Sequence, residues 1–110
     1  MAERVGEKDF EAKVKQAKCL VLTEFYSDSC IPCKQLSPVL GDIEEEYAGK
    51  VCIFKINANY EEKLTQEYQV RSSPTLILFQ DGAVLDRKSG VQKKEVLTEW
   101  IDKYLKGADE

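Results

Sequence analysis

Two hydrophobic periods run along this 110-residue chain, one helical and one extended. From Glu7 to Lys18, the residues Phe10, Val14 and Ala17 fall at i, i+4 and i+7, the stripe of an amphipathic helix. Leu20 to Tyr26 is apolar on both alternating faces and predicts a strand buried between two layers. Cys33 to Tyr47 returns to the helical period through Leu36, Val39, Leu40, Ile43 and Tyr47, with Gly49 as a stop and Pro38 as an expected kink. Val51 to Ile56 predicts a second buried strand, and Glu61 to Tyr68 a short helix that Asn59 could cap. Thr75 to Gln80 and Ala83 to Lys88 flank Asp81-Gly82, a strong hairpin signal, so these two strands are expected to be antiparallel. The last stripe, Val96, Leu97, Trp100, Ile101, Tyr104 and Leu105, predicts a helix over Gln92 to Lys106 ended by Gly107. The order α-β-α-β-α-β-β-α implies parallel strands joined by helical crossovers, then a hairpin, with helices on both faces.

With 43% hydrophobic and 33% charged residues and no linker, repeat or composition shift, residues 1–110 read as a single domain able to fold by itself. A net charge of -4 argues against nucleic-acid and anionic-membrane partners, which need a dominant basic surface. The absence of histidine excludes more: hydrolases built on an imidazole base, histidine-ligated haem and histidine-containing zinc sites all fall away. The residues from Met1 to Asp9 lack the apolar core of a secretory signal, and no later apolar run is long enough to span a bilayer. A soluble cytoplasmic monomer is expected, and in a reducing compartment a Cys-x-x-Cys is more often catalytic or metal-binding than structural.

Cys30-Ile31-Pro32-Cys33 falls where the first clear strand gives way to the long helix. Residues three apart at a helix start lie on one side, near enough for a disulfide. The free N–H groups and the positive end of the dipole there favour a thiolate on the first cysteine. Pro32 suits a first turn, Lys34 adds a cation, and Asp28 opposes ionisation if it points at the sulfur. The competing reading is a zinc site completed by Cys19 and Cys52, but these are single residues in strand patterns rather than a second knuckle. They read instead as plain buried thiols.

From Phe10 to Leu105 the ordered motifs Glu24-Phe25-Tyr26, Cys30-Ile31-Pro32-Cys33-Lys34, Pro38, Lys55, Ser73-Pro74-Thr75, Asp81-Gly82 and Gly90 resemble the thioredoxin family. The resemblance implies an α/β thioredoxin fold: a central mixed sheet flanked by helices on both faces. It adds an N-terminal strand, for which only the stretch around Arg4 and Val5 is available. It makes Cys30 the exposed attacking thiol and Cys33 the buried resolving thiol, exchanging through a mixed disulfide without a bound cofactor. Glu24 becomes the candidate acid/base, standing where the family commonly has Asp; its competing reading is an ion pair with Lys55. Pro74 becomes a cis-proline facing the cysteines. Ser29, Ile31, Pro32, Ser73, Thr75 and Gly90 become the substrate-facing set, with Ser29 where Trp is usual, Ile31 where Gly is usual, and Ser73 where Ile or Val is usual. Tyr26, at another common Trp position, reads either as part of that packing or as a plain core aromatic.

The implied function is reduction of disulfides in substrate proteins, with electrons from NADPH delivered by a flavoprotein thioredoxin reductase. Two other readings compete. One is a binding adaptor whose cysteine pair switches its grip on a partner; the other is a disulfide oxidase or isomerase, disfavoured by the lack of a signal segment.

Overall fold

The computed structural model describes residues 2–109, so positions 1 and 110 of the expected domain lie outside the described residues. Five strands make one sheet in the order β1-β3-β2-β4-β5. β2 (Leu20–Tyr26) is central: it pairs in parallel with β3 (Val51–Asn57) and antiparallel with β4 (Thr75–Gln80). All seven residues of β2 are buried, Thr23 and Glu24 included, as a strand with apolar residues on both faces and a layer over each requires. β1 is the expected N-terminal strand, here Glu3–Arg4, parallel to β3. β5 (Ala83–Ser89) returns antiparallel to β4 through the Asp81-Gly82 turn, where both residues have positive φ. This mixed sheet with helices is the thioredoxin fold expected from the motifs.

Alternation along β2 divides the core. Leu20 and Leu22 pack with Leu36, Leu40 and Ile43 of α1 (Ile31–Glu46) and with Leu97, Trp100 and Ile101 of α3 (Lys94–Asp109). On the other face, Val21 and Phe25 join Phe10, Val14, Ile56, Ile77, Phe79 and Leu64, the last from α2 (Glu62–Glu67). Each such buried aliphatic or aromatic side chain contributes about 1.5–3 kcal/mol of transfer free energy, so truncating Leu36 or Phe25 damages one layer outright.

Four local expectations change. The helix expected over Glu7 to Lys18 shortens to a π-helix, Glu11–Lys15, in which the Gln16 N–H bonds the Glu11 carbonyl at 3.0 Å. The wider turn still buries Phe10 and Val14. Asn59 does not cap α2: Glu61 holds the cap position with no side-chain hydrogen bond, and the Asn59 N–H donates to Asn57 Oδ1 at 2.9 Å. Gly107 does not end α3, which runs on to Asp109. α1 begins at Ile31, before the expected Cys33, because Cys30 itself caps it.

Candidate active site

β2 delivers the chain to Ser27 at one end of the sheet, and α1 starts four residues later. Cys30 is the N-cap of α1, with extended backbone (ψ 105°), and its Sγ accepts the Cys33 N–H at 3.1 Å. Its own N–H donates to the Ser27 carbonyl at 3.2 Å, which fixes the loop. Pro32 occupies the first turn, where no intrahelical N–H bond is lost. Cys30 and Cys33 are joined as a disulfide with their Cα atoms 5.2 Å apart.

Cys30 is not the exposed thiol expected for the attacking position. It is 9% exposed against 6% for Cys33, the bonded pair forming one buried cluster with Tyr26. The exposed group is Ile31, at 67%. Ser29 and Pro32 are exposed beside it, so an apolar side chain stands at the rim of the cysteine pair.

The Ser73-Pro74 bond is cis, as expected. Thr75 pairs with Phe25 in the β2/β4 register, which puts Pro74 at the same end of the sheet as the cysteines. The Pro74 carbonyl accepts the Gly90 N–H at 2.9 Å, and Gly90 has φ +86°, a left-handed conformation that favours glycine. Thr75 is 1% exposed and its hydroxyl donates to the Ser72 carbonyl at 2.7 Å, so its side chain braces the turn from inside. Ser73 is half-buried.

Glu24 is 1% exposed, and no protein group hydrogen-bonds to either carboxylate oxygen among the described residues. Burial pushes its pKa up to about 7, opposed in part by the positive charge of Lys55. The alternative reading of Glu24, an ion pair with Lys55, is not met among the described residues, where no Glu24–Lys55 contact falls within ion-pair distance. The two residues are register partners on β2 and β3, but the Lys55 ammonium sits 4.4 Å from the centroid of the Tyr26 ring, a cation–π contact. Glu24, Lys55 and Cys33 all line one cavity of 170 Å³, together with Arg4, Tyr26, Asp28 and Ser37. That volume has room for several waters, at roughly 30 Å³ each in the liquid. A chain of water between a carboxyl titrating near neutrality and the inner cysteine is therefore geometrically available.

Two contributors were not singled out from the sequence. Arg4 reaches the cavity from β1 and lies 6.0 Å from the Tyr26 ring centroid. Asn57, at the end of β3, donates to Asp28 Oδ2 at 3.4 Å and so ties the loop before Cys30 to the sheet. Its signal was only a polar residue ending an apolar strand. Asp28 is exposed and turned toward Asn57.

Cys19 and Cys52 are not plain buried thiols. They are half-buried and bonded to each other, Cα to Cα 6.5 Å, at the far end of β2 and β3. With the four cysteines paired at opposite ends of the sheet, they do not converge on one zinc ion. Among the described residues no cluster of three or more His, Cys, Asp or Glu could hold a metal, and no helix is long and apolar enough to cross a membrane.

A pair of sulfurs that gains or loses two electrons by opening or closing one bond, at the start of a helix that follows a central strand, defines a dithiol–disulfide oxidoreductase. Comparison with known proteins carries this further. The Thioredoxin family profile matches residues 2–103. The Thioredoxin of Rickettsia felis is 38% identical over 105 residues, spanning 96% of this chain and 100% of its own. The Thioredoxin of Staphylococcus aureus is 39% identical over 102 residues, spanning 93% of this chain and 96% of its own. The chain belongs to the thioredoxin family and is a protein-disulfide oxidoreductase of thioredoxin type.

Proposed function

We propose that this chain works as a single-domain, monomeric cytoplasmic reductant of protein disulfides, with Cys30 as the attacking and Cys33 as the resolving thiol. The observation that carries the assignment is the Cys33 N–H directed at Cys30 Sγ: the same donor that caps the disulfide stabilises a Cys30 thiolate after reduction. Cys30 attacks one sulfur of the substrate disulfide and expels the other as a thiolate. Cys33, its proton passed toward Glu24 through the shared cavity, attacks Cys30 Sγ, releases the reduced substrate and closes the Cys30–Cys33 bond.

Two electrons reach the substrate in each cycle, and NADPH restores the dithiol through a flavoprotein thioredoxin reductase. Ile31, Ser29 and Pro32 on one side, and Ser73, Pro74 and Gly90 on the other, frame an extended substrate segment. Lys55 limits the rise in the Glu24 pKa and so keeps its proton exchangeable.

Reduction of insulin with dithiothreitol as electron source tests this directly. The native chain accelerates the reaction and Cys30→Ser abolishes the acceleration. Binding of a disulfide target without turnover would leave only the adaptor reading, and turnover that runs solely toward disulfide formation would leave the oxidase.

A further inference from the structure

We propose that Cys19 and Cys52 form a second thiol–disulfide exchange site, specific for small disulfides that carry carboxylates. The register places the pair. Leu20 faces Val51 and Val21 faces Cys52 across two parallel strands, so Cys19, one residue before β2, lies a diagonal step from Cys52 on the same face of the sheet. Six residue steps along β2 separate this end from the Tyr26 end, roughly 20 Å at about 3.3 Å per residue. The two cysteine pairs of one molecule therefore cannot exchange with each other directly, and the second pair needs its own partner.

The surroundings indicate which partner. Cys19 lines an open groove of 660 Å³ formed by Lys18, Leu20, Gly49, Lys50, Gln80 and Leu105, while Cys52 is not among its lining residues. The groove has the size of a small-molecule site, large enough for a molecule of a few residues and too small for a folded protein. Lys18 and Lys50 are exposed, and among the described residues neither has a carboxylate within ion-pair distance. A half-buried cysteine in a cationic, open setting is the kind that ionises and reacts, and the same two cations attract an anionic reactant.

The chemistry balances as follows. The Cys19 thiolate attacks one sulfur of a small disulfide, forming a mixed disulfide and expelling the first thiolate. The Cys52 thiolate then attacks Cys19 Sγ, expelling the second thiolate and closing Cys19–Cys52. The small disulfide is reduced to two thiols, the cysteine pair is oxidised by two electrons, and the two cysteine protons go to the two released thiolates. An excess of the small thiol runs the sequence backwards, with attack first at Cys19.

The test uses the reduced full-length Cys30→Ser/Cys33→Ser chain, with glutathione disulfide as anionic probe and 2-hydroxyethyl disulfide as neutral probe, read by alkylation and peptide mass spectrometry. Glutathione disulfide closes Cys19–Cys52, and in a Cys52→Ser background it leaves one glutathionyl group on Cys19. Lys18→Glu/Lys50→Glu slows closure by both probes, because loss of the two cations disfavours the Cys19 thiolate, and slows glutathione disulfide about tenfold more than the neutral probe, as loss of electrostatic attraction requires. Failure of glutathione disulfide to close the bond, first attack at Cys52, or equal effects of the lysine reversal on both probes overturns the proposal. Since the lysines lie on the surface, matching far-UV circular dichroism of the variants keeps the comparison valid.

Discussion

The backbone N–H of Cys33 points at the sulfur of Cys30 across 3.1 Å, so the cysteine proposed to resolve is also the cap donor of the one proposed to attack. The sequence spacing makes this possible: an N-cap side chain reaches the N–H groups two and three residues on, and Cys-x-x-Cys puts the second cysteine at the third. Reduction leaves that donor facing a free sulfur at the positive end of a 16-residue helix.

Unequal reactivity of the two thiols follows. In the reduced chain at pH 7, iodoacetamide is expected to label Cys30 roughly tenfold faster than Cys33, since alkylation tracks thiolate character and access. Timed alkylation with peptide mass spectrometry reads both rates. Equal rates contradict the capping argument.

Glu24 makes stability depend on pH in an unusual direction. Its pKa rises from 4.5 to about 7 on folding. Between those values the folded chain holds a proton that the unfolded chain has released, so stability falls as pH rises through this window and is flat above it. The ceiling on the loss is about 3 kcal/mol, at 1.36 kcal/mol per pH unit. Urea unfolding at pH 5 and pH 8 should show Glu24→Gln removing the slope and leaving the variant more stable than the native chain at pH 8. The same variant should resolve a Cys30 mixed disulfide about tenfold more slowly and lose a kinetic inflection near neutrality, as removal of a proton acceptor requires. Parallel stability curves for the two proteins contradict the buried-carboxyl account.

Gly90 faces open space, with no atom within 4 Å of where a Cβ would stand. Gly90→Ala should nevertheless cost about 1–2 kcal/mol, because φ +86° is a left-handed conformation and the Gly90 N–H holds the Pro74 carbonyl. Urea unfolding measures the cost, and a neutral substitution would show that the backbone relaxes freely there.

The buried strands and the two long helices were legible because each carries its burial in its period: β2 has apolar residues on both faces, interrupted by Thr23 and Glu24, while α1 and α3 are apolar on one stripe. The positions of Cys30, Cys33 and Pro74 were legible for a related reason, since each sits at a boundary between an extended and another pattern. What stayed hidden depends on tertiary placement. Cys19 and Cys52 are 33 residues apart, and only the β2/β3 register brings them together. Lys55 faces Glu24 in register, yet its flexible stem carries the ammonium over the Tyr26 ring, a choice that no spacing along the chain encodes. The π-helix was missed because Phe10 and Val14 satisfy the α period and the wider turn equally well.

The measurement that bears most directly on the central claim is single-turnover trapping on an immobilised protein disulfide, comparing Cys33→Ser with Cys30→Ser. The assignment predicts that Cys33→Ser accumulates a covalent complex through Cys30, released by dithiothreitol, and that Cys30→Ser accumulates none. A complex that forms through Cys33 in the Cys30→Ser chain, at the rate seen for Cys33→Ser, would contradict it.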